Sequence, residues 1–167
     1  MYQFRLNSPY DPDYTGAGQQ PPHYDRMATL YSSYRVLSTK YRVRSNYLSG
    51  TTQVLAAWTA TVATSVSSLQ AALCQTDSQS IIIGAAAEPN TLSIQKWQPI
   101  AKIMGVERAE VETDSDYGAL ISTTPSKVAY LNLYCGNMST TTTSTAQSLV
   151  EITYYVEWSN PVPDNMN

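Results

Sequence analysis

The chain has 167 residues, 43% of them hydrophobic and only 14% charged, with a formal net charge of −3; an ordinary soluble domain carries about 25% charged residues. That length fits one domain, residues 1–167, with a sizeable core, while the composition excludes a disordered charged tail and disfavours the whole chain as a strong polyanion binder. One histidine, two cysteines far apart and no Gly-rich phosphate loop leave little for metal, redox or nucleotide chemistry. No apolar run nears the roughly 20 residues of a membrane span, and no apolar stretch of the signal-peptide kind follows Met1. Neither an enzyme nor a cofactor is expected.

In chain order, Tyr2 to Ser8 alternates Tyr2, Phe4 and Leu6 with Gln3, Arg5 and Asn7, the period of a half-buried strand. Pro9 to about Tyr24 is rich in proline and glycine and predicts a long irregular loop. A loop of that length is usually functional or packed against something. Asp25 is placed to cap a short helix over Arg26–Tyr34, with Met27, Leu30, Tyr31 and Tyr34 on one side. Tyr34–Tyr47 predicts a strand with Lys40, Arg42 and Arg44 on one face and Tyr41, Val43 and Ser45 on the other. After a turn at Gly50, Gln53–Thr64 is apolar on both faces. It reads as a strand covered on both sides, or covered on one side by a neighbouring subunit.

Ser67–Cys74 predicts a short helix with Leu69, Ala72 and Leu73 inward, and Gln79–Ala85 a short buried strand around Ile81, Ile82 and Ile83. Leu92–Met104 reads as extended, Glu107–Asp116 as an acidic loop, Lys127–Cys135 as a strand and Ser139–Ser144 as a Thr-rich turn. Ser148–Trp158 is the clearest strand, with Val150, Ile152, Tyr154, Val156 and Trp158 on one face. Seven or eight strands with long excursions between them, plus two small helices, predict an all-β two-sheet sandwich with crossing connections.

The strongest charge feature is the basic face of Lys40, Arg42 and Arg44, with Arg35 nearby. Alternate basic residues on a strand project one way and can neutralise phosphates along a nucleic-acid backbone; the plainer alternative is a solvated sheet face. Tyr34, Tyr41 and Tyr47 fall on the opposite parity or at the ends, so stacking from that strand is weakly supported. Glu110, Glu112, Asp114 and Asp116 are the weak candidate for a divalent cation, but they lack the glycine and spacing of an EF-hand, and a solvated acidic loop is expected. Cys74 and Cys135 read as free thiols, with Cys135 packed as a small hydrophobe. Thirteen tyrosines against one phenylalanine favour protein–protein contact and predict a self-assembling or adhesive protein. The subunit-interface candidates are Tyr10, Tyr14, His23, Tyr24, Trp58 and Trp97, with His23 a loop-packing residue rather than a base.

The opening Phe4-Arg5-Leu6-Asn7-Ser8-Pro9-Tyr10-Asp11-Pro12-Asp13, then Thr15 to Pro21, Tyr24-Asp25-Arg26-Met27 and Leu30 to Val36, resembles the capsid proteins of circular, replicase-encoding single-stranded DNA viruses (circovirus-like). Leu92 to Trp97, Gly105-Val106 and the closing Val150 to Trp158 are similar in kind and order. The resemblance implies an eight-stranded single jelly roll with one or two short helices in its loops. It implies a structural protein that self-assembles into a small icosahedral shell, most simply of about sixty copies, enclosing a circular single-stranded DNA genome. Its place would be the virion and, during assembly, the host cell, the nucleus included. Asn7–Tyr24 would be fixed at a subunit boundary, and Arg35, Lys40, Arg42 and Arg44 would face the packaged DNA. Members of that family usually begin with an Arg-rich arm, whereas these 167 residues start at the first strand; either an arm lies outside these residues, or packaging relies on the folded domain alone. The alternative of another class is a jelly-roll carbohydrate-binding module, a lectin or adhesin. A cupin-like metalloenzyme needs several histidines, and the chain has His23 alone.

Overall fold

The computed structural model describes residues 2–50, 53–62, 68–75, 77–84, 91–137 and 144–163. The strands are β1 (Tyr2–Arg5), β2 (Tyr31–Ser49), β3 (Val54–Thr61), β4 (Gln79–Ile83), β5 (Thr91–Pro99), β6 (Gly118–Leu120), β7 (Tyr130–Asn137) and β8 (Thr145–Pro161). Between them lie the short helices α1 (Tyr24–Leu30), α2 (Leu69–Leu73), α3 (Ile100–Met104) and α4 (Arg108–Thr113), and a 3-10 turn at Ser115–Tyr117.

One sheet has the order β1-β7-β3-β4. The other is built on the 19-residue β2, which carries β8 along one edge, from Tyr31 paired with Pro161 to Ser49 paired with Thr145. Along its other edge lie β6, opposite Ser33–Arg35, and β5, opposite Ser38–Asn46. All of these pairs are antiparallel. Because β1, β2 and β3 fall in alternate sheets, as do β6, β7 and β8, the connections cross between layers, as the uneven loops predict.

The core follows from alternation. Tyr34, Val36, Tyr41 and Val43 of β2 meet Ala56, Trp58 and Ala60 of β3 and Leu131 and Leu133 of β7, closed by Leu6, Ile83, Ile100, Val111 and Tyr117. Between Val36 and Ser38 the pairing with β8 shifts by one residue. That bulge switches the inward parity of β2 from even to odd numbers. The far face of β3 is covered within the chain, since α2 packs on β3 and β7 and Ala57, Thr59 and Ala72 are fully buried.

Several sequence expectations are corrected. The first helix ends at Leu30, because Tyr31–Tyr34 is drawn into the β2 ladder with β8; tertiary pairing overrides local periodicity. Ile100–Met104 is helical rather than extended, entered from Pro99 and stopped by Gly105 at φ 71°, the left-handed conformation that glycine adopts freely. Glu107–Asp116 is helix and 3-10 turn rather than loop. Strand β4 is an edge strand whose Ile82 is 48% exposed, not a buried one. Cys135 is an exposed free thiol, not a packed one. The expected turn at Ser139–Ser144 lies, but for Ser144, outside the described residues. Among the described residues no helix is long and apolar enough to cross a membrane.

Candidate functional site

The outer face of the β2 sheet gathers the basic residues. After the bulge the inward positions are Thr39, Tyr41, Val43 and Ser45, all buried, so Lys40, Arg42 and Arg44 point outward. Before it the inward positions are Tyr34 and Val36, so Arg35 points outward too. Simple alternation would place Arg35 and Lys40 on opposite faces; the bulge puts all four cations on one.

Their surroundings differ. Arg35 donates through Nη1 to the carbonyl oxygen of Glu112 and through Nη2 to that of Asp114, 3.1 Å away, so it anchors the end of α4. Arg44 pairs with Glu151 at 2.9 Å. Arg42 Nε donates to Ser93 Oγ at 3.0 Å, and among the described residues neither Arg42 nor Lys40 has a carboxylate partner. Lys40 stands in register with Trp97 of β5 on one side and Thr153 of β8 on the other. Tyr155 stands one outward row away, opposite Ser38.

The long loop is organised by Arg5. Its guanidinium reaches the Asp11 carboxylate at 2.5 Å and the carbonyl oxygens of Asp11 and Asp13, each at 3.0 Å, and it lies 5.1 Å from the centre of the Tyr14 ring. The backbone joins in: Arg5 N–H donates to Pro12 at 2.7 Å and Tyr14 N–H to Gln3 at 3.1 Å. The loop thereby covers the outer edge of β1, an edge that would otherwise invite pairing. The sequence reading did not single out Arg5; the signal was its position opposite a run of Asp and Pro.

Among the described residues no such cover lies along β8. It pairs only with β2 among the described residues, which leaves a 17-residue edge open. Two cavities line its inner face: one of about 410 Å³ bordered by Pro21, His23, Tyr24, Tyr154 and Trp158, another of about 530 Å³ bordered by Tyr2, Phe4, Leu48 and Val150.

Of the six interface candidates, Tyr24 and Trp58 are 4% and 1% exposed and pack in the core of the single chain. Trp58 Nε1 is satisfied by Gln79 Oε1 at 3.3 Å; Tyr24 donates to the Ile121 carbonyl at 2.7 Å and packs 5.6 Å from Trp158. Tyr10 is half-buried beside Tyr24, and Tyr14, His23 and Trp97 are exposed. The acidic residues are partnered internally: Lys127 sits 2.9 Å from Asp114 and 3.9 Å from both Glu110 and Asp116, while Glu112 pairs with Arg108. The Asp116 backbone N–H, then Lys127, hold the Asp114 carboxyl below its ordinary range. No group of three or more His, Cys, Asp or Glu among the described residues is arranged to hold a metal ion.

No protein family matches this sequence, and no curated protein is similar to it. Solved structures are similar. A chain of Desmodium yellow mottle tymovirus superposes with a TM-score of 0.51 at 13% identity, over 99% of this chain and 89% of that one. A chain of sacbrood virus of honeybee, in expansion state II, is more distant, with a TM-score of 0.44 at 14% identity over 99% and 80%. The first likeness shows the fold: an all-β sandwich of two antiparallel sheets with short helices in its loops, consistent with a jelly roll. It does not extend to the circovirus-like virus type implied by the sequence resemblance.

Proposed function

We propose that the chain is a structural capsid protein, one shell domain over residues 1–167, that assembles with copies of itself into a small icosahedral shell of about sixty subunits around a circular single-stranded DNA genome. The observation that carries the reading is a jelly-roll sandwich whose β1 edge is covered and whose long β8 edge is open among the described residues. The loop tied down by Arg5 shields β1, while the 17-residue β8 presents its outward-facing alternate backbone groups, unpaired among the described residues, beside two apolar-lined cavities. A long open edge is a template for another chain, and one that is repeated by symmetry builds a closed assembly from individually modest contacts. The sequence resemblance supplies the virus type. Fold likeness supports the class of protein by analogy only.

On this reading the work of the molecule is association, and the outer face of the β2 sheet, with Lys40, Arg42 and Arg44, meets the genome. The protein resides in the virion and assembles in the host cell, with the nucleus as the site that a DNA genome favours. Light scattering on the purified full chain tests the assembly: megadalton particles are expected, and only monomers or small oligomers across pH and salt would overturn it. Replacing Lys40, Arg42 and Arg44 together by Ser is expected to lower the nucleic acid that copurifies with particles while leaving their size unchanged.

A further inference from the structure

We propose that the outer face of the β2 sheet binds an unpaired polynucleotide strand, with phosphates along Lys40 and Arg42 and bases stacked on Trp97 and Tyr155. The inference rests on the reading of this face as the contact with a single-stranded genome, and adds to it the residues on which the bases stack.

Trp97 and Tyr155 come from the two strands that flank β2. Trp97 is the register partner of Lys40, and Tyr155 pairs with Ser38, one outward row away. Their chain neighbours are oppositely disposed: Lys96 pairs with the buried Tyr41 and Tyr154 with the buried Thr39, so alternation turns both aromatic rings outward. Trp97 is 57% exposed and Tyr155 48%, a large apolar area left to water on the two strands that flank β2. With strands about 4.8 Å apart, the two rings stand on the order of 10 Å from each other across β2.

Lys40 stands between the rings, and Arg42 lies one outward row beyond them. Lys40 and Arg42, two residues apart, are separated by about 7 Å along the strand. Their neighbours on the same face are Ser93, Gln95 and Thr153, neutral hydrogen-bonding groups, and Glu151, which lies opposite Arg42 but is turned to Arg44 at 2.9 Å. The row thus carries unmatched positive charge, complementary to a polyanion. A duplex hides its base faces and would offer the two rings only sugar and phosphate. An unpaired strand offers bases, whose π-faces stack on any aromatic platform irrespective of sequence. Sheet-mounted aromatics with basic neighbours meet single strands in this manner elsewhere.

The test is fluorescence anisotropy of the full-length protein with labelled oligothymidylate and with a duplex of equal length. Trp97→Ala and Tyr155→Ala, both at exposed positions, are each expected to weaken oligothymidylate binding about tenfold and leave duplex binding unchanged. Lys40→Ser with Arg42→Ser is expected to weaken both. Thermal unfolding of each variant confirms that it is folded, and binding of oligothymidylate quenches the Trp97 fluorescence, a signal absent from Trp97→Phe. If the aromatic variants bind oligothymidylate like the parent while the charge variant does not, the phosphate surface stands and the stacking is overturned. If Trp97→Ala changes particle size but not affinity, the ring is a subunit contact and the proposal fails. A parent that binds neither probe overturns both readings together.

Discussion

The hydroxyl of Tyr154 donates to the main-chain carbonyl of Arg5 at 2.7 Å, a bond that spans 149 positions of sequence. It joins the last strand of one sheet to the first strand of the other on the side where the sandwich is otherwise open. Arg5 is thus used twice: its carbonyl holds β8, and its guanidinium holds the loop over β1.

Removing the hydroxyl with Tyr154→Phe is expected to cost about 1 kcal/mol of stability, the usual net value of such a bond. Urea unfolding measures it. A midpoint equal to that of the parent would mean that the two sheets are clamped elsewhere.

Arg5→Ala removes the Asp11 ion pair, two carbonyl contacts and the Tyr14 ring contact together. We expect a loss of about 2–3 kcal/mol, as for charge-assisted hydrogen bonds left unmade, and faster proteolysis between Asp11 and Gln20. Arg5→Lys is expected to behave much like Ala, since an ammonium cannot supply the planar fork. Limited proteolysis followed by mass spectrometry reads the site of cleavage, and an unchanged cleavage pattern would contradict the role given to Arg5.

Burial raises several tyrosines, and pushes Tyr34 and Tyr41 up to about 12. An unfolded tyrosine ionises near 10. Between these values the unfolded chain has released protons that the folded chain keeps, so stability falls as pH rises. Stability, followed by melting temperature, is expected to be flat from neutral pH to about 10 and to fall from there to about 12, with a loss of about 3 kcal/mol for each of Tyr34 and Tyr41. A melting temperature that holds constant to about pH 12 would show that these hydroxyls ionise freely in the folded protein.

The open edge of β8 makes a prediction for amide exchange. In the dissociated chain, alternate amides of Thr145–Pro161 face β2 and are protected, while those between them face outward and exchange fast. In assembled particles the fast set is expected to become protected. If it stays fast, β8 is not the contact.

Strand β8 was legible because its alternation is uninterrupted from Val150 to Trp158, and the basic face because it needs only period two within one strand. The helix α3 was not read, although Pro99 before it and Gly105 after it are start and stop signals, because Leu92–Trp97 ahead of it alternates like a strand. Arg35 sharing a face with Lys40 depends on a bulge that only pairing with β8 creates. The nearness of Trp97 and Tyr155 to Lys40 is a matter of register between three strands distant in sequence, and no periodicity within one segment contains it. Trp58 and Tyr24 were assigned to an interface on residue type, yet they fill the core because the inward rows of β3 and α1 reach them first.

Negative-stain electron microscopy of the purified protein, with the absorbance ratio at 260 and 280 nm on the same fraction, tests the capsid reading most directly. Uniform round particles about 15–25 nm across, the size given by packing about sixty domains of this length, are predicted. Monomers or small oligomers at every pH and salt tried would contradict it.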